Sequence, residues 1–286
     1  MSLTRASLAG TLPGRSLKTA RMPWFANGQT LIGADTTGFT SGSTPATPNT
    51  KGGWVQIIAS TSADCGLIML AGIGTQSATD RSVLVDIGIG AAGAETPIVQ
   101  NVPIGGADYS VPIQLPLPVF VPQGSRISWR GQAALASASF AGIVSVNTYR
   151  TGDNTFTPRS LDTLGASTST SRGTAMSGAA GTYTQITSAT PQPYQALLIV
   201  PNTGDTTGLP NANCTLTLGV GPAGSEVPIG TVVVRTNGGT VLPANYSQPF
   251  MLSGRSIPAG TRIAVAHTLS SNPQNLQVAV IGVPYR

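Results

Sequence analysis

The chain has 286 residues and a net charge of +5, yet only 9% of its residues are charged, against roughly 25% in a typical globular protein. Two lysines and two glutamates leave few helix-favouring surface residues, whereas β-branched and turn-forming residues abound, so an all-β fold follows. One histidine and two cysteines, Cys65 and Cys214, exclude a disulfide framework and a multi-ligand metal site. The surface must be covered by Ser, Thr, Asn, Gln and Gly, which gives little electrostatic protection against association and favours an assembly component.

Residues 1–30 show neither helical nor strand periodicity. They hold Arg5, Arg15, Lys18 and Arg21 with no offsetting acid, followed by Trp24 and Phe25. The stretch reads as an extended arm, pinned by the aromatic pair, with its basic residues docked on an acidic protein surface. A nucleic-acid role is disfavoured because no aromatic residues interleave with the charges. The apolar runs near the start are too short for a signal peptide. The run Gly66–Gly74 is too short to span a bilayer and reads as a buried strand.

From residue 31 onward the sequence repeats itself. Leu31–Gly53 and Leu164–Gly181 are both rich in Gly, Ser and Thr and share Gly-Ala-x-Thr after an apolar residue. Trp54-Val-Gln-Ile57 matches Tyr183-Thr-Gln-Ile186, 129 positions on. Leu84–Ile98 matches Thr215–Ile229, 131 positions on, and Val121–Ile127 matches Ile257–Ile263 at 136. Tyr149-Arg150 and Tyr285-Arg286 close the two halves. Four blocks in one order, with spacing that grows by small loop insertions, indicate internal duplication.

Short alternating segments are expected as strands near 55–60, 65–71, 82–89, 98–102, 111–117, 126–130 and 141–146. In the second half they fall near 184–188, 195–200, 214–220, 230–235, 250–252, 262–268 and 277–283. That density predicts two tandem jelly-roll-like β-sandwich domains. The expected division is an arm at 1–30, a first sandwich at 31–150, a linker at 151–182 and a second sandwich at 183–286. The linker has room for one helical turn near Pro158–Leu164.

Gly88-Ile-Gly-Ala-Ala-Gly93 fits the dinucleotide fingerprint, which needs a helix behind its glycines. Here Pro97 and Pro103 follow without helical periodicity, and the second copy carries Pro222 inside the motif, so a wide β-turn is expected. Glu95 and Glu226 are the only glutamates and occupy matching positions, as do Arg126 and Arg262. The expected structural ion pairs are Glu95–Arg126 and Glu226–Arg262, with separately solvated side chains as the alternative. The Val-Pro-Gln-Gly and Ile-Pro-Ala-Gly segments read as type II turns with Pro at the second position.

No constellation for catalysis stands out. His267 lies in an alternating strand with no acid nearby in sequence, no Gly-x-Ser-x-Gly elbow is present, and the eight aspartates are scattered. No catalytic, cofactor-binding or metal-binding residue is therefore assigned, and a non-enzymatic protein is expected. Trp54, Trp129, Tyr149, Tyr183 and Tyr285 read as packing residues, with an aromatic sugar platform as the alternative.

Gly90-Ala-Ala-Gly-Ala-Glu95 and Gly221-Pro-Ala-Gly-Ser-Glu226, followed by Val121-Pro-Gln-Gly-Ser-Arg126 and Ile257-Pro-Ala-Gly-Thr-Arg262, resemble segments of virion structural proteins of tailed bacteriophages. The resemblance covers residues 54–150 and 183–286. It implies a β-sandwich subunit of the particle, as head decoration or head-fibre base, or as a tail, baseplate or fibre component with a carbohydrate- or receptor-binding role. The implied partners are major capsid or tail proteins and further copies of the chain, with no membrane and no cofactor.

Overall fold

The computed structural model describes residues 28–32, 40–73, 83–104, 113–148, 158–168, 173–203, 212–237, 240–243, 256–271 and 273–285. These form eighteen strands and one 3-10 turn at Pro273–Asn275, with no α-helix among them. Nine strands belong to a first unit: β1 (Gly28–Ile32), β2 (Thr40–Ser43), β3 (Val55–Ile58), β4 (Cys65–Ile73), β5 (Val83–Ile89), β6 (Thr96–Ile104), β7 (Ile113–Leu117), β8 (Ile127–Ala133) and β9 (Ser139–Thr148). Nine belong to a second: β10 (Asp162–Leu164), β11 (Thr174–Ala175), β12 (Tyr183–Thr187), β13 (Tyr194–Thr203), β14 (Ala212–Val220), β15 (Val227–Asn237), β16 (Thr240–Pro243), β17 (Ile263–His267) and β18 (Leu276–Pro284).

Each unit is an antiparallel sandwich. In sheet I, β9 lies between β4 and the pair β1 and β2, and β7 adds to β4. Sheet II runs β3-β8-β5-β6. Most successive strands alternate between the two sheets, which is the jelly-roll order. The second unit repeats it: β18 lies between β13 and the pair β10 and β11 in sheet III, and sheet IV runs β12-β17-β14-β15-β16. The bulges repeat too. Residue 57 is skipped between Gln56 and Ile58, and residue 186 between Gln185 and Thr187. Ile98 and Ile229 are likewise the extra residues opposite Ile87-Gly88 and Leu218-Gly219.

The strand pairing moves the expected boundaries. β10 and β11 lie inside the stretch expected to be linker, and Asp162–Leu164 is extended rather than helical. They are three and two residues long, too short for an alternating pattern to show, and they exist because the edge of β18 holds them. Their counterparts β1 and β2 precede Trp54 in the same way, so each unit starts well before the aromatic block that suggested its beginning. β16 was not expected from sequence, and the expected strand at 250–252 lies outside the described residues.

The cores follow from the alternation of side chains. Ile68, Leu70, Val144 and Val146 of sheet I meet Val83, Val85, Ile87 and Trp129 of sheet II, all almost completely buried. Trp129 meets Phe140 edge to face, with ring centroids 4.9 Å apart. Such side chains contribute about 1.5–3 kcal/mol each on burial. In the second unit, Leu197, Ile199, Val278 and Val280 of sheet III pack with Leu216, Leu218 and Val265 of sheet IV.

The other face of sheet III does not meet solvent. Ala196, Leu198, Val200, Ala279, Ile281 and Val283 join the core cluster of the first unit, together with Leu161 and Ala166. Leu161 donates its N–H to the Ile98 carbonyl (2.8 Å), and it bridges Val99 in parallel. The two sandwiches therefore share apolar packing rather than hanging from a free tether.

Candidate functional site

The repeated glycine motif is the turn between β5 and β6, and between β14 and β15 in the second unit. Each of its glycines has its own reason. A Cβ on Gly88 would lie 2.7 Å from the Trp54 ring, and one on Gly219 would lie 2.5 Å from Tyr183. Gly90 and Gly93 have φ of +130° and +80°, and Gly221 and Gly224 have +114° and +77°, a region that L side chains rarely adopt. The turns close with Ala94 N–H donating to Ala91 O (3.0 Å) and Ser225 N–H donating to Pro222 O (3.1 Å). A strand follows the motif in both units, so no helix N-terminus faces the glycines.

The turn delivers its glutamate to an arginine. Arg126, just before β8, donates from Nη1 to Glu95 Oε1 and from Nε to Gln56 Oε1 at 2.8 Å. Arg262, just before β17, donates from Nη1 to Glu226 Oε1 at 2.7 Å and from Nε to Gln185 Oε1 at 2.9 Å. The structure thus brings Glu95 together with Arg126, and Glu226 with Arg262. It adds a glutamine to each corner, which sequence reasoning missed. The signal was there, because Gln56 and Gln185 sit at matching places in the Val-Gln-Ile and Thr-Gln-Ile segments.

Only 1% of the Glu95 side chain and 6% of the Glu226 side chain are exposed, whereas Arg126 and Arg262 keep 17% and 15% of theirs in contact with solvent. Desolvation raises the Glu95 carboxyl, and the Arg126 contact and backbone at Glu95 and Gly93 outweigh it, so its pKa falls below the usual range. For Glu226 the Arg262 hydrogen bond is the main cause of the same downward shift. Solvent reaches both pairs through their partly exposed arginines and screens them, so these corners fix geometry more than they add stability.

A second repeated device was not visible in the sequence. Thr61 Oγ1 donates to Pro122 O (2.7 Å) and accepts from Ser125 N–H (3.1 Å). Thr190 Oγ1 does the same with Pro258 O (2.8 Å) and Thr261 N–H (3.1 Å). The turns they staple are shifted by one residue from the expected register. Ser125 N–H donates to Pro122 O, so Pro122 opens the turn and Gly124 is its third residue, with φ of +79°.

The units differ on the outer face of sheet II and its counterpart, sheet IV. In the first unit, the Asp86 carboxylate is 2% exposed and accepts from Lys51 Nζ (2.7 and 3.0 Å), Arg130 Nε (2.9 Å) and Asn101 N–H (2.9 Å). The Arg130 guanidinium lies 4.4 Å over the Trp54 ring. Asn101 sits at φ +55° in a further bulge of β6, and its Oδ1 accepts from Gln132 Nε2 (3.0 Å). Strand register puts Thr217 where Asp86 stands and Ala266 where Arg130 stands. There Thr217 and Thr231 share a hydroxyl hydrogen bond of 3.3 Å across β14 and β15, which lack this further bulge.

His267 is buried on the inner face of β17, opposite Leu216. Neither ring nitrogen has a hydrogen-bonding partner; burial holds its pKa below the ordinary imidazole range, opposed by backbone near Ser177, Leu269 and Gly178. Cys65 and Cys214 are free and buried, and burial with the nearby Asp64 charge pushes the Cys65 thiol up to about 11. Trp129 is core, Trp54 and Tyr183 are half-buried over glycines, and Tyr285 is half-exposed. Tyr149, Arg5, Arg15, Lys18, Arg21, Trp24 and Phe25 lie outside the described residues. Among the described residues no group of three or more potential metal ligands occurs, and no helix is long and apolar enough to cross a membrane.

No protein-family model matches the chain, and no curated protein matches it. Among solved structures it is similar to PNGF-II, with a TM-score of 0.40 and 9% identity over 87% of this chain, which spans 65% of that protein. It is also similar to the STIV major capsid protein, with a TM-score of 0.32 and 9% identity, covering 86% of this chain and 96% of that one. A third is PNGase F, a glycosylasparaginase from Flavobacterium meningosepticum, with a TM-score of 0.30, 12% identity and the same coverage. The set includes enzymes, and this corrects the expectation of a non-enzymatic chain, which is not retained. Likeness at this level assigns no activity either.

Proposed function

We propose that the chain is a structural subunit of a bacteriophage virion, placed as head decoration or at the base of a head fibre. The observation that carries this reading is the way the two sandwiches are fused. Apolar residues of sheet III enter the core cluster of the first unit, which makes the pair one rigid building block with a charge-poor surface. Such a surface suits burial among neighbours, where apolar contact and backbone pairing supply the binding energy. The part of the 1–30 arm that precedes β1, with Arg5, Arg15, Lys18, Arg21, Trp24 and Phe25, acts as the anchor in this reading, docking on a major capsid or tail protein. The repeated bulges, corners and threonine staples further support descent of both units from one duplicated sandwich.

Deleting residues 1–27, which stops short of β1, tests the anchor: particles assembled with the truncated chain should lack it, while the purified truncated chain keeps its far-UV spectrum and melting temperature. Normal incorporation of the truncated chain contradicts the anchor role.

A further inference from the structure

The junction between the two units exists once within the chain, but the surfaces that make it exist twice. In the first unit the outer face of sheet II is closed. Leu84, Asp86, Pro103 and Gln132 are buried there, and Gln132 Nε2 donates to the Ser167 carbonyl of the second unit (3.4 Å). Strand register places Thr215, Thr217, Val233 and Thr268 at the same positions of sheet IV. Thr215 and Thr217 are only half-buried, Thr268 is exposed, and Val233 is 49% exposed. Among the described residues, no strand pairs with the free edge of β15 before Val234, whereas Leu161 bonds to Ile98, the β6 counterpart of Ile229.

The complementary side is repeated as well. In sheet III the face turned to the first unit carries Ala196, Leu198 and Val200 of β13. The matching outward positions on β4 of sheet I are Leu67, Met69 and Ala71, which carry no charge and of which Met69 and Ala71 are half-buried. The open face of sheet IV is also uncharged at Thr215, Thr217, Thr231 and Val233. The chain therefore presents, at its two ends, the two halves of a contact it already makes internally.

We propose that the outer face of β14 and β15 binds a second copy of this chain through that copy's sheet I, repeating the intrachain junction between molecules. The contact is heterologous: one face is used on each partner, so copies join head to tail into a closed ring or an open string. Because the sheet I face carries no charge at these positions and the sheet IV face carries only Arg235, at the far end of β15, apolar burial drives the contact and added salt weakens it little. The inference shares the assembly reading above but is tested on the purified chain alone, so a failure of particle incorporation leaves it standing and the reverse also holds.

Sedimentation of the full-length chain should show species of two or more chain masses. Val233→Asp should weaken association about tenfold or more, as should Met69→Asp on the opposite face. Ala71→Asp replaces Met69→Asp if the latter lowers the melting temperature. The deciding measurement mixes the two variants. Each keeps one intact face, so an equimolar mixture should form a 1:1 dimer that neither variant forms alone. A wild-type chain that stays monomeric at its solubility limit overturns the proposal. So does a Val233→Asp chain that associates like wild type, or a mixture that fails to pair.

Discussion

The two units share a fold, two bulges, a Glu-Arg-Gln corner and a threonine staple, yet they use the same sheet face differently. In the first, Asp86 gathers Lys51, Arg130 and Asn101, an extra residue bends β6 at Asn101, and the face is closed by the second unit. In the second, Thr217 and Thr231 meet across strands that lack this further bulge and Val233 faces solvent. What repeats is the corner geometry that makes the sandwich. What diverges is the chemistry of the face, and that divergence follows whether the chain itself covers it. The Asp86 cluster suits a closed face, where a carboxylate 2% exposed must be paired, while a threonine face tolerates both water and a partner.

The largest expected effect comes from the residues that the units share. Ile281→Asp places a charge between the second unit and the first-unit core and should cost more than about 4 kcal/mol, abolishing folding of both units in one transition. A first unit that still melts near the wild-type temperature breaks the claim of a shared core. Next is Asp86→Asn, which leaves Lys51 and Arg130 facing each other without a compensating charge. It should cost about 2 kcal/mol by denaturant unfolding, because both cations retain some access to water. Thr217→Asn at the matching position should change stability by less than about 0.5 kcal/mol. Equal effects at the two positions would erase the distinction between the faces.

Acid separates the second unit from the first. The His267 pKa is depressed in the folded chain, so the unfolded chain takes up a proton first. The stability that neutral His267 provides is complete above the ordinary imidazole range near about 6.5 and declines as pH falls through it toward the folded value. His267→Leu should flatten that limb of the melting curve between about pH 7 and 5, and an unchanged slope contradicts the assignment. Glu95→Gln and Glu226→Gln have modest effects, lowering the melting temperature by a few degrees at neutral pH. Both carboxyls titrate low when folded, so their contribution is present above about pH 4.3 and fades as pH drops through the folded value. A neutral-pH melting temperature unchanged by either substitution removes the structural role of that corner.

Much of the sandwich was legible because the repeat multiplied weak signals. A single glycine turn says little, but the same glycines, glutamate and arginine in the same order in both halves point to one corner built twice. The alternation in Val83–Ile89 and Ala212–Val220 reads as strand directly. β10 and β11 were hidden because strands of two or three residues are fixed by the neighbour they pair with, not by their own pattern. Asp86 was one of eight scattered aspartates, and nothing local announces that β8 brings Arg130 beside it while Lys51 arrives from before β3. Thr61 and Thr190 were equally silent, since a threonine in a polar loop shows no partner until the turn folds against it. The open face of sheet IV required both units to be laid over each other strand by strand.

The most direct measurement is hydrogen exchange on the chain held monomeric by Val233→Asp, comparing residues 98–104 with residues 229–234. The amides of β6 should be slow, because Leu161 and the second unit cover that edge, and those of β15 before Val234 should exchange much faster. Equal protection of the two segments would contradict the account, since the second unit would then have no uncovered counterpart of the face that the first unit closes.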